Sequence, residues 1–288
     1  GNAEWQRDLS VSLERLGDLA TSQGNLPEAA RLFGESLDIR RRLAESDPGN
    51  AEWQRDLMVS HYKLGGLHQT GLEFDSAIEE FRKGAAVLER MIEKEQNVEQ
   101  SRRELQILQG QIQTCERSLV VIGDWDALLA RPAEQLPVLL SHRCMLLAQK
   151  QQTADVEQAA AKLQELAASA PAEADPKVPQ GAKNELLYNA ACGYGLCVKL
   201  SSGWDGRGAF PPDPAPELTA DQQSERDRFT TLALTALKAA IAAGWDDFAH
   251  IQKDPDLAAL RDHSDYKALF PRPKRNDLEQ KATKGTKE

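Results

Sequence analysis

The sequence predicts an all-α protein, a right-handed α-solenoid of antiparallel helical hairpins with a short C-terminal helical cap. The first observation is an internal repeat, since residues 1–9 read GNAEWQRDL and residues 49–57 read the same nine letters at an offset of 48. The second is that apolar residues recur at helical spacing within each copy, and helices of this kind must stack to bury them. In the first helix the predicted buried stripe is Leu9, Leu13, Leu16 and Ala20.

The first repeat divides into two helices. Gly24 and Pro27 act as a stop signal and a start signal between them. Residues 47–50, which read DPGN, then break the chain, and Asn50 is a good N-cap for the next helix. The apolar stripe predicted for the second helix is Ala29, Leu32, Phe33, Leu37, Ile39 and Leu43.

Small and apolar residues recur in both copies. In the first they are Leu13, Leu16, Gly17, Ala20, Gly24, Leu26, Ala29, Phe33 and Ser36, and in the second His61, Leu64, Gly65, His68, Phe74, Ala77, Phe81 and Gly84. These positions, within residues 1–95, resemble the tetratricopeptide repeat. The resemblance implies that the small residues let two helices approach closely while the phenylalanines fill the gap between them. A typical unit of that family has ~34 residues, whereas the period here is 48, with the extra length ahead of Leu13.

The next part of the chain predicts eroded copies of the same unit. Residues 97–122 suit a third first helix, and Pro132 should cut the following helix short. A fourth hairpin is expected over residues 133–150 and 155–168. Residues 171–181 are polar and contain proline, which predicts a loop.

The last third predicts a hairpin that is interrupted by a long loop. Residues 183–200 suit a first helix, and the Gly and Pro residues of 201–218 exclude regular structure before its partner at 219–243. Helical turns over residues 244–270 predict a closing cap. The expected parts are hairpins over 1–131, degenerate hairpins with a cap over 132–270, and a disordered polar tail over 271–288.

Two segments carry a second resemblance. Residues 188–197 read YNAACGYGLC, and residues 239–270 read AAIAAGWDDFAHIQKDPDLAALRDHSDYKALF. Together they resemble the C-terminal tetratricopeptide region of bacterial, planctomycete-like serine/threonine kinases, which implies a docking or regulatory region downstream of a kinase domain. The chain begins at the start of a repeat without Met, so we expect a longer parent protein. The sequence has no glycine-rich phosphate loop, no HRD and no DFG motif, so we expect no enzymatic activity.

Composition narrows the class of partner. The net charge of −10 disfavours nucleic acid and anionic membranes. Apolar runs fall short of the ~20 residues of a membrane span, and no signal peptide is recognisable, so we expect a cytoplasmic protein. The cysteines lack metal-ligand spacing and are interpreted as reduced thiols, with no metal and no cofactor. They are Cys115, Cys144, Cys192 and Cys197.

Three groups of residues invite a chemical interpretation. A cluster near the predicted cap could hold a metal ion, but it lacks the spacing of HExxH or of a calcium loop. We expect instead that Asp254 or Asp256, and Ser264, cap short helices there. His61 and His68 lie ~10 Å apart along one helix, at positions that are apolar in the first copy, which predicts packing. Trp204 and Phe210 either tuck onto the scaffold or make contacts with a partner. The cluster consists of His250, Asp254, Asp256, Asp262, His263 and Asp265.

The family resemblance implies a binding site on the inner, concave face formed by the first helices. Glu14 and Asp18 would repel a C-terminal carboxylate, so a mixed or basic peptide suits this face better. The predicted binding residues are Glu14, Arg15, Asp18, Tyr62, Lys63, Gln69 and Asn189, with Leu186, Gly193 and Leu196 on the same face.

The sequence therefore predicts a non-catalytic scaffold that binds a protein or peptide, as the docking or regulatory region of a larger bacterial signalling protein. The alternative is a self-assembly module whose open ends stack, with residues 40–42 (RRR) meeting an acidic surface of another copy. Trp5 and Trp53 open the first helices of the two copies, and we expect each to wedge against a preceding hairpin; the alternative is an exposed aromatic anchor for binding.

Overall fold

The computed structural model describes residues 2–170, 182–206, 208–212 and 215–270. Every regular element in these ranges is helical, and consecutive helices pack in pairs, which confirms the all-α class and the stacked arrangement. The handedness of the stack stays a prediction. The loop predicted at 171–181 and the tail predicted at 271–288 lie outside the described residues.

The chain forms two compact units, which divide between Asp124 and Trp125. The sequence placed this division after residue 131. Unit 1 contains five helices within its described residues, and each of α1 to α4 packs on the helix that follows it. They are α1 (Ala3–Ser22), α2 (Leu26–Ser46), α3 (Ala51–Thr70), α4 (Phe74–Glu93) and α5 (Val98–Ile122).

Asparagine side chains cap the N-termini of the first three helices of unit 1. Asn2 accepts the backbone N–H of Glu4, and Asn50 accepts that of Glu52 in the second copy. Asn25 does the same for α2. Each side chain satisfies a donor that the first turn of a helix leaves free. The predicted N-cap at Asn50 is therefore confirmed.

Glycines bring the two helices of each hairpin together, as the sequence indicated. A Cβ added at Gly17 would lie 2.6 Å from the ring of Phe33, and one at Gly65 would lie 2.5 Å from the ring of Phe81. Phe33 and Phe81 are buried. Only glycine leaves room for a ring at this distance, so the Gly–Phe pair sets how closely both hairpins close.

The buried stripe predicted for the first helix is wrong at two of its four positions. Leu9 is 53% exposed and Leu16 is 52% exposed, whereas Leu13 is partly buried and Ala20 lies in the core. The face of α1 that contacts α2 consists of Ser10, Leu13, Gly17 and Ala20. Trp5 is 73% exposed, so no hairpin within the described residues covers it as predicted.

Unit 2 follows the predicted outline. Helix α6 (Trp125–Leu129) ends ahead of Pro132, and α7 (Leu136–Gln149) and α8 (Thr153–Ser169) form the expected hairpin. Helix α9 (Ala182–Ser201) packs against both α8 and α10 (Ala220–Ala242). No helix interrupts the described residues of the loop between α9 and α10.

The predicted cap is also present. It consists of α11 (Phe248–Lys253), a 3-10 helix (Pro255–Leu260) and α12 (Ser264–Ala268). The 3-10 helix packs on α9 at Gly195, where an added Cβ would lie 2.5 Å from the carbonyl of Asp256. Among the described residues, no helix combines the length and the apolarity that crossing a bilayer requires.

Candidate functional site

Unit 1 contains a groove of about 640 Å³ between α2 and α4, which are the second helices of its two hairpins. Helices α2 and α4 form its walls, and α3 lies between them as its floor. This volume is within the ~300–1,000 Å³ typical of ligand sites. The residues that line it are Arg41, Ala44, Glu45, Pro48, Gln54, Leu57, His61, Lys83, Ala86, Val87, Glu89, Arg90, Met91, Glu93, Lys94 and Gln96.

The groove has an apolar floor and a charged rim. Leu57, Val87 and Met91 are at most 8% exposed and belong to the core beneath it. Charged side chains of both signs stand above them, and the basic ones slightly outnumber the acidic ones. They are Arg41, Lys83, Arg90 and Lys94 on one hand and Glu45, Glu89 and Glu93 on the other.

His61 reaches the floor of the groove and is held by an acid from α4. Its Nδ1 lies 2.8 Å from Oε2 of Glu80, whose Oε1 accepts a hydrogen bond from Nζ of Lys83. The hydrogen bond from His61, with that from Lys83, lowers the pKa of Glu80 to about 2 against the opposing effect of burial. The packing role predicted for His61 is confirmed by its burial. His68 instead contacts Glu73 at 2.6 Å, so the two histidines do not share a site.

The structure pairs several of the predicted binding residues with other residues of unit 1. Asp18 accepts a hydrogen bond from Nζ of Lys63 at 2.7 Å, which joins α1 to α3. Glu14 forms an ion pair with Arg40, which is only 3% exposed in its side chain. The carboxylates of Glu14 and Asp18 are thus neutralised by basic partners, which weakens the predicted repulsion of a ligand carboxylate.

The other predicted residues of unit 1 remain accessible to different degrees. Arg15 is exposed, Tyr62 is 38% exposed and Gln69 is partly buried. The ring of Tyr62 lies 6.0 Å from that of Phe81, measured between centroids. These three side chains belong to the first helices α1 and α3 and are not among the residues that line the groove.

In unit 2 the expected binding face is mostly buried. Leu186 is 7% exposed and Leu196 is 3% exposed, and Gly193 packs so closely on Ala160 of α8 that an added Cβ would lie 2.8 Å away. Leu186 therefore does not lie on an open face as expected, whereas Gly193 and Leu196, although closely packed, line the same small cavity as Asn189. Asn189 is half-buried and lines a cavity of about 180 Å³ in unit 2.

This smaller cavity brings together donor atoms that are far apart in sequence. Single donor atoms of Cys192, Asp254 and Asp256 all lie within 4.8 Å of one another. Oδ2 of Asp254 accepts the hydroxyl of Tyr188 at 2.6 Å and lies 3.7 Å from Sγ of Cys192. Burial, followed by the neighbouring Asp254, raises the pKa of Asp256 to about 6. The sequence missed this group because Cys192 lacks any ligand-like spacing to the acids.

The six-residue cluster near the cap does not converge on one point. Oδ1 of Asp254 accepts the N–H of Asp256, and Nδ1 of His263 accepts that of Asp265, so both residues cap helices. His250 lies 3.5 Å from Asp254, and Asp262 is fully exposed beside Lys267. The predicted cap at Asp254 is confirmed, whereas the cap predicted at Ser264 is wrong, because His263 performs it and Ser264 is the first residue of α12.

The loop aromatics lie against Lys199 of α9 and are half-buried, which favours the alternative in which they pack onto the scaffold. Nζ of Lys199 lies 3.7 Å from the ring centroid of Trp204 and 5.7 Å from that of Phe210. The indole N–H of Trp204 also donates to the carbonyl of Gly208 at 2.7 Å.

All four cysteines are free, as predicted, and burial raises the pKa of Cys144 to about 12.

Comparison of the chain with protein-family models, with curated proteins and with solved structures gives no match. Sequence reasoning missed the groove because it looked for a binding face on the first helices. The useful signal was the set of charged residues on the outer faces of α2 and α4, with the exposed Ala86 among them.

Proposed function

We propose that the chain is a non-catalytic protein-interaction scaffold that binds a peptide segment of a partner protein in the groove of unit 1. The observation that carries this proposal is the groove between α2 and α4, with its apolar floor and its rim of mixed charge. Grooves between helices recognise peptides by accepting apolar anchors, while charged rims select partners. The resemblance to kinase-associated repeat regions supports the role of a docking or regulatory part of a larger bacterial signalling protein in the cytoplasm.

The charge of the rim specifies the occupant. Arg41, Arg90 and Lys94 alternate along the walls with glutamates, so a peptide with both acidic and basic residues can pair with it along its length. A uniformly acidic or basic segment would meet like charges on one wall. We therefore propose a peptide of mixed charge with two or three apolar anchors.

A peptide display library tests this proposal. Peptides selected by the purified chain should combine apolar anchors with both signs of charge. Ala86, an exposed residue of the groove wall, offers a variant that blocks the groove without disturbing the core. Ala86→Arg should abolish binding of the selected peptides.

The matched control is Ala30→Arg, which places the same side chain at an exposed position of α2 outside the groove. It should leave binding unchanged. Loss of binding on Tyr62→Ala, with full binding by Ala86→Arg, would move the site to the first helices and contradict the groove. A library that yields no binder at all would refute the scaffold proposal for this unit.

A further inference from the structure

The outer face of α1 repeats the side chains of a covered face of α3. We call the α1 open face the residues Trp5, Gln6, Asp8, Leu9, Ser12, Leu16 and Leu19. At an offset of 48, α3 carries the same seven residue types, as Trp53, Gln54, Asp56, Leu57, Ser60, Leu64 and Leu67. Side chains of the same type in the same helical register should bind the same kind of surface.

The two faces differ in what covers them. On α3, Leu57 is 8% exposed and Leu67 is 6% exposed, because α2 packs there. On α1, Leu9 is 53% exposed and Leu19 is 52% exposed. A row of large apolar side chains this exposed is costly in water and is typical of an interaction surface.

The corresponding face of α5, in the third copy, is covered in the same way as that of α3. Leu108 and Cys115, which take the places of Ser60 and Leu67 in α5, are at most 1% exposed. Helix α4 packs on α5 just as α2 packs on α3. In both examples within unit 1, the second helix of one hairpin covers this face of the following first helix.

The polar groups by which α3 contacts the preceding helices have counterparts on the open face. Nε2 of Gln54 donates to the carbonyl of Ala44 at 2.8 Å, and Gln6 is its exposed counterpart on α1. Asp56 accepts a hydrogen bond from Arg7 of the preceding first helix at 2.6 Å. Its counterpart Asp8 is exposed and makes no ion pair within the described part of the chain.

One position of the first helix, occupied by Ser60 in α3 and by Leu108 in α5, must match the residue that faces it from the preceding second helix. Nη1 of Arg40 in α2 lies 3.2 Å from Oγ of Ser60, so a serine faces an arginine in that interface. In the next interface the corresponding residues are Leu88 and Leu108, both buried. The open face carries Ser12, so it suits a second helix with arginine at this place.

We propose that the α1 open face is a docking surface for a further helical hairpin of the type formed by residues 1–48. Its second helix lies on the open face as α2 lies on α3, and its first helix supplies a basic residue to Asp8. This surface is separate from the groove, so the inference stands or fails independently of the proposed peptide binding.

The exact repeat permits a direct test. A copy of residues 1–48 is fused directly before Gly1 of the full chain, which recreates at the junction the DPGNAEW sequence found at residues 47–53. A single reporter, Leu9→Cys, is placed in the original α1, and its rate of reaction with a maleimide is measured with and without the added copy. The native cysteines are buried or half-buried, and the unsubstituted chain corrects for their reaction.

The proposal expects the added hairpin to slow labelling of Leu9→Cys by about tenfold or more, since labelling would then require local opening. The control reporter Ser22→Cys should react at the same rate in both chains, because its counterpart Thr70 remains exposed on α3. Helical circular dichroism should rise with the added length. Unchanged labelling of Leu9→Cys, whether the added copy is helical or unfolded, would overturn the proposal. Protection that already appears without the added copy and grows with protein concentration would assign the face to a second copy and overturn it as well.

Discussion

Arg7 of α1 contacts Asp56 of α3 at 2.6 Å, and the contact recurs 48 residues later, where Arg55 of α3 contacts Glu104 of α5 at 2.7 Å. The first helices of successive copies are thus linked by the same ion pair. Each pair is partly exposed, so its contribution to stability is small, ~0.2–1 kcal/mol. Its regular recurrence instead fixes the register of one copy against the next.

A buried ion pair should matter far more than these. Arg40 of α2 donates hydrogen bonds to Oγ of Ser10 in α1 and to Oγ of Ser60 in α3, and it pairs with Glu14 of α1. Its burial also removes it from the arginine run that the sequence offered for self-assembly. Arg40→Ala leaves Glu14 without its partner, and we expect the free energy of unfolding to fall by about 3 kcal/mol.

Urea denaturation of the purified variants measures this change. The matched control is Arg41→Ala, since Arg41 is 46% exposed and, within the described part of the chain, pairs with Asp38 of its own helix. It should change stability by less than about 0.5 kcal/mol. Equal effects of the two substitutions would show that the Arg40 network contributes no more than a surface pair.

Two adjacent glycines of α3 should respond in opposite directions to the same substitution. Gly65→Ala places a methyl group 2.5 Å from the ring of Phe81, whereas Gly66→Ala meets no atom within 4 Å. We expect Gly65→Ala to lower the free energy of unfolding by about 1–2 kcal/mol through overpacking. Gly66→Ala should raise it by up to about 1 kcal/mol through helix propensity. Thermal and urea unfolding of both variants test this, and a stabilising Gly65→Ala would contradict the close packing.

Features that depend on neighbouring residues in the chain could be predicted from the sequence. The cap at Asn50, the turn at Gly24 and the end of α6 ahead of Pro132 all follow from local backbone chemistry. The pairing of Gly17 with Phe33 was also accessible, because a hairpin with a short turn fixes which residues of its two helices meet.

Features that depend on distant neighbours could not be predicted. Leu9 and Leu57 are the same residue in the same register, yet among the described residues Leu57 is covered by α2 whereas Leu9 is 53% exposed. The groove exists because α2 and α4 stand apart across α3, a spacing that no single helix encodes. Asp254 meets Cys192 across 62 residues of sequence, with the 3-10 helix folded onto α9.

The acid beneath the groove should make stability depend on pH. The pKa of Glu80 lies at about 2 in the folded chain, below its ordinary value of 4.5, chiefly because of the hydrogen bond with His61. Its contribution to stability is therefore complete above the ordinary value and is lost as the pH falls from 4.5 towards 2. Glu80→Gln should be destabilised at about pH 6 and approach the unsubstituted chain at about pH 3.

Urea unfolding at both pH values provides the comparison, because subtraction of the two chains removes the titration of all other acids. Glu79→Gln is the matched control, since Glu79 is 68% exposed and pairs with the same Lys83. It should give a difference near zero at each pH. A destabilisation by Glu80→Gln that is equal at both values would show that the hydrogen bond, and not the charge, is what matters.

Asp256 should show the opposite dependence on pH. Burial, with Asp254 beside it, raises the pKa of Asp256 from 3.8 to about 6, so ionising it in the folded chain costs free energy. Stability should thus decrease as the pH rises from 3.8 through 6, and Asp256→Asn should remove this loss. We expect the variant to be more stable by about 3 kcal/mol at about pH 8 and close to the unsubstituted chain at about pH 3. Urea unfolding across this range measures the difference, and Asp262→Asn, at a fully exposed position, should show none. A gain of stability that did not vary with pH would rule out titration of Asp256 as its cause.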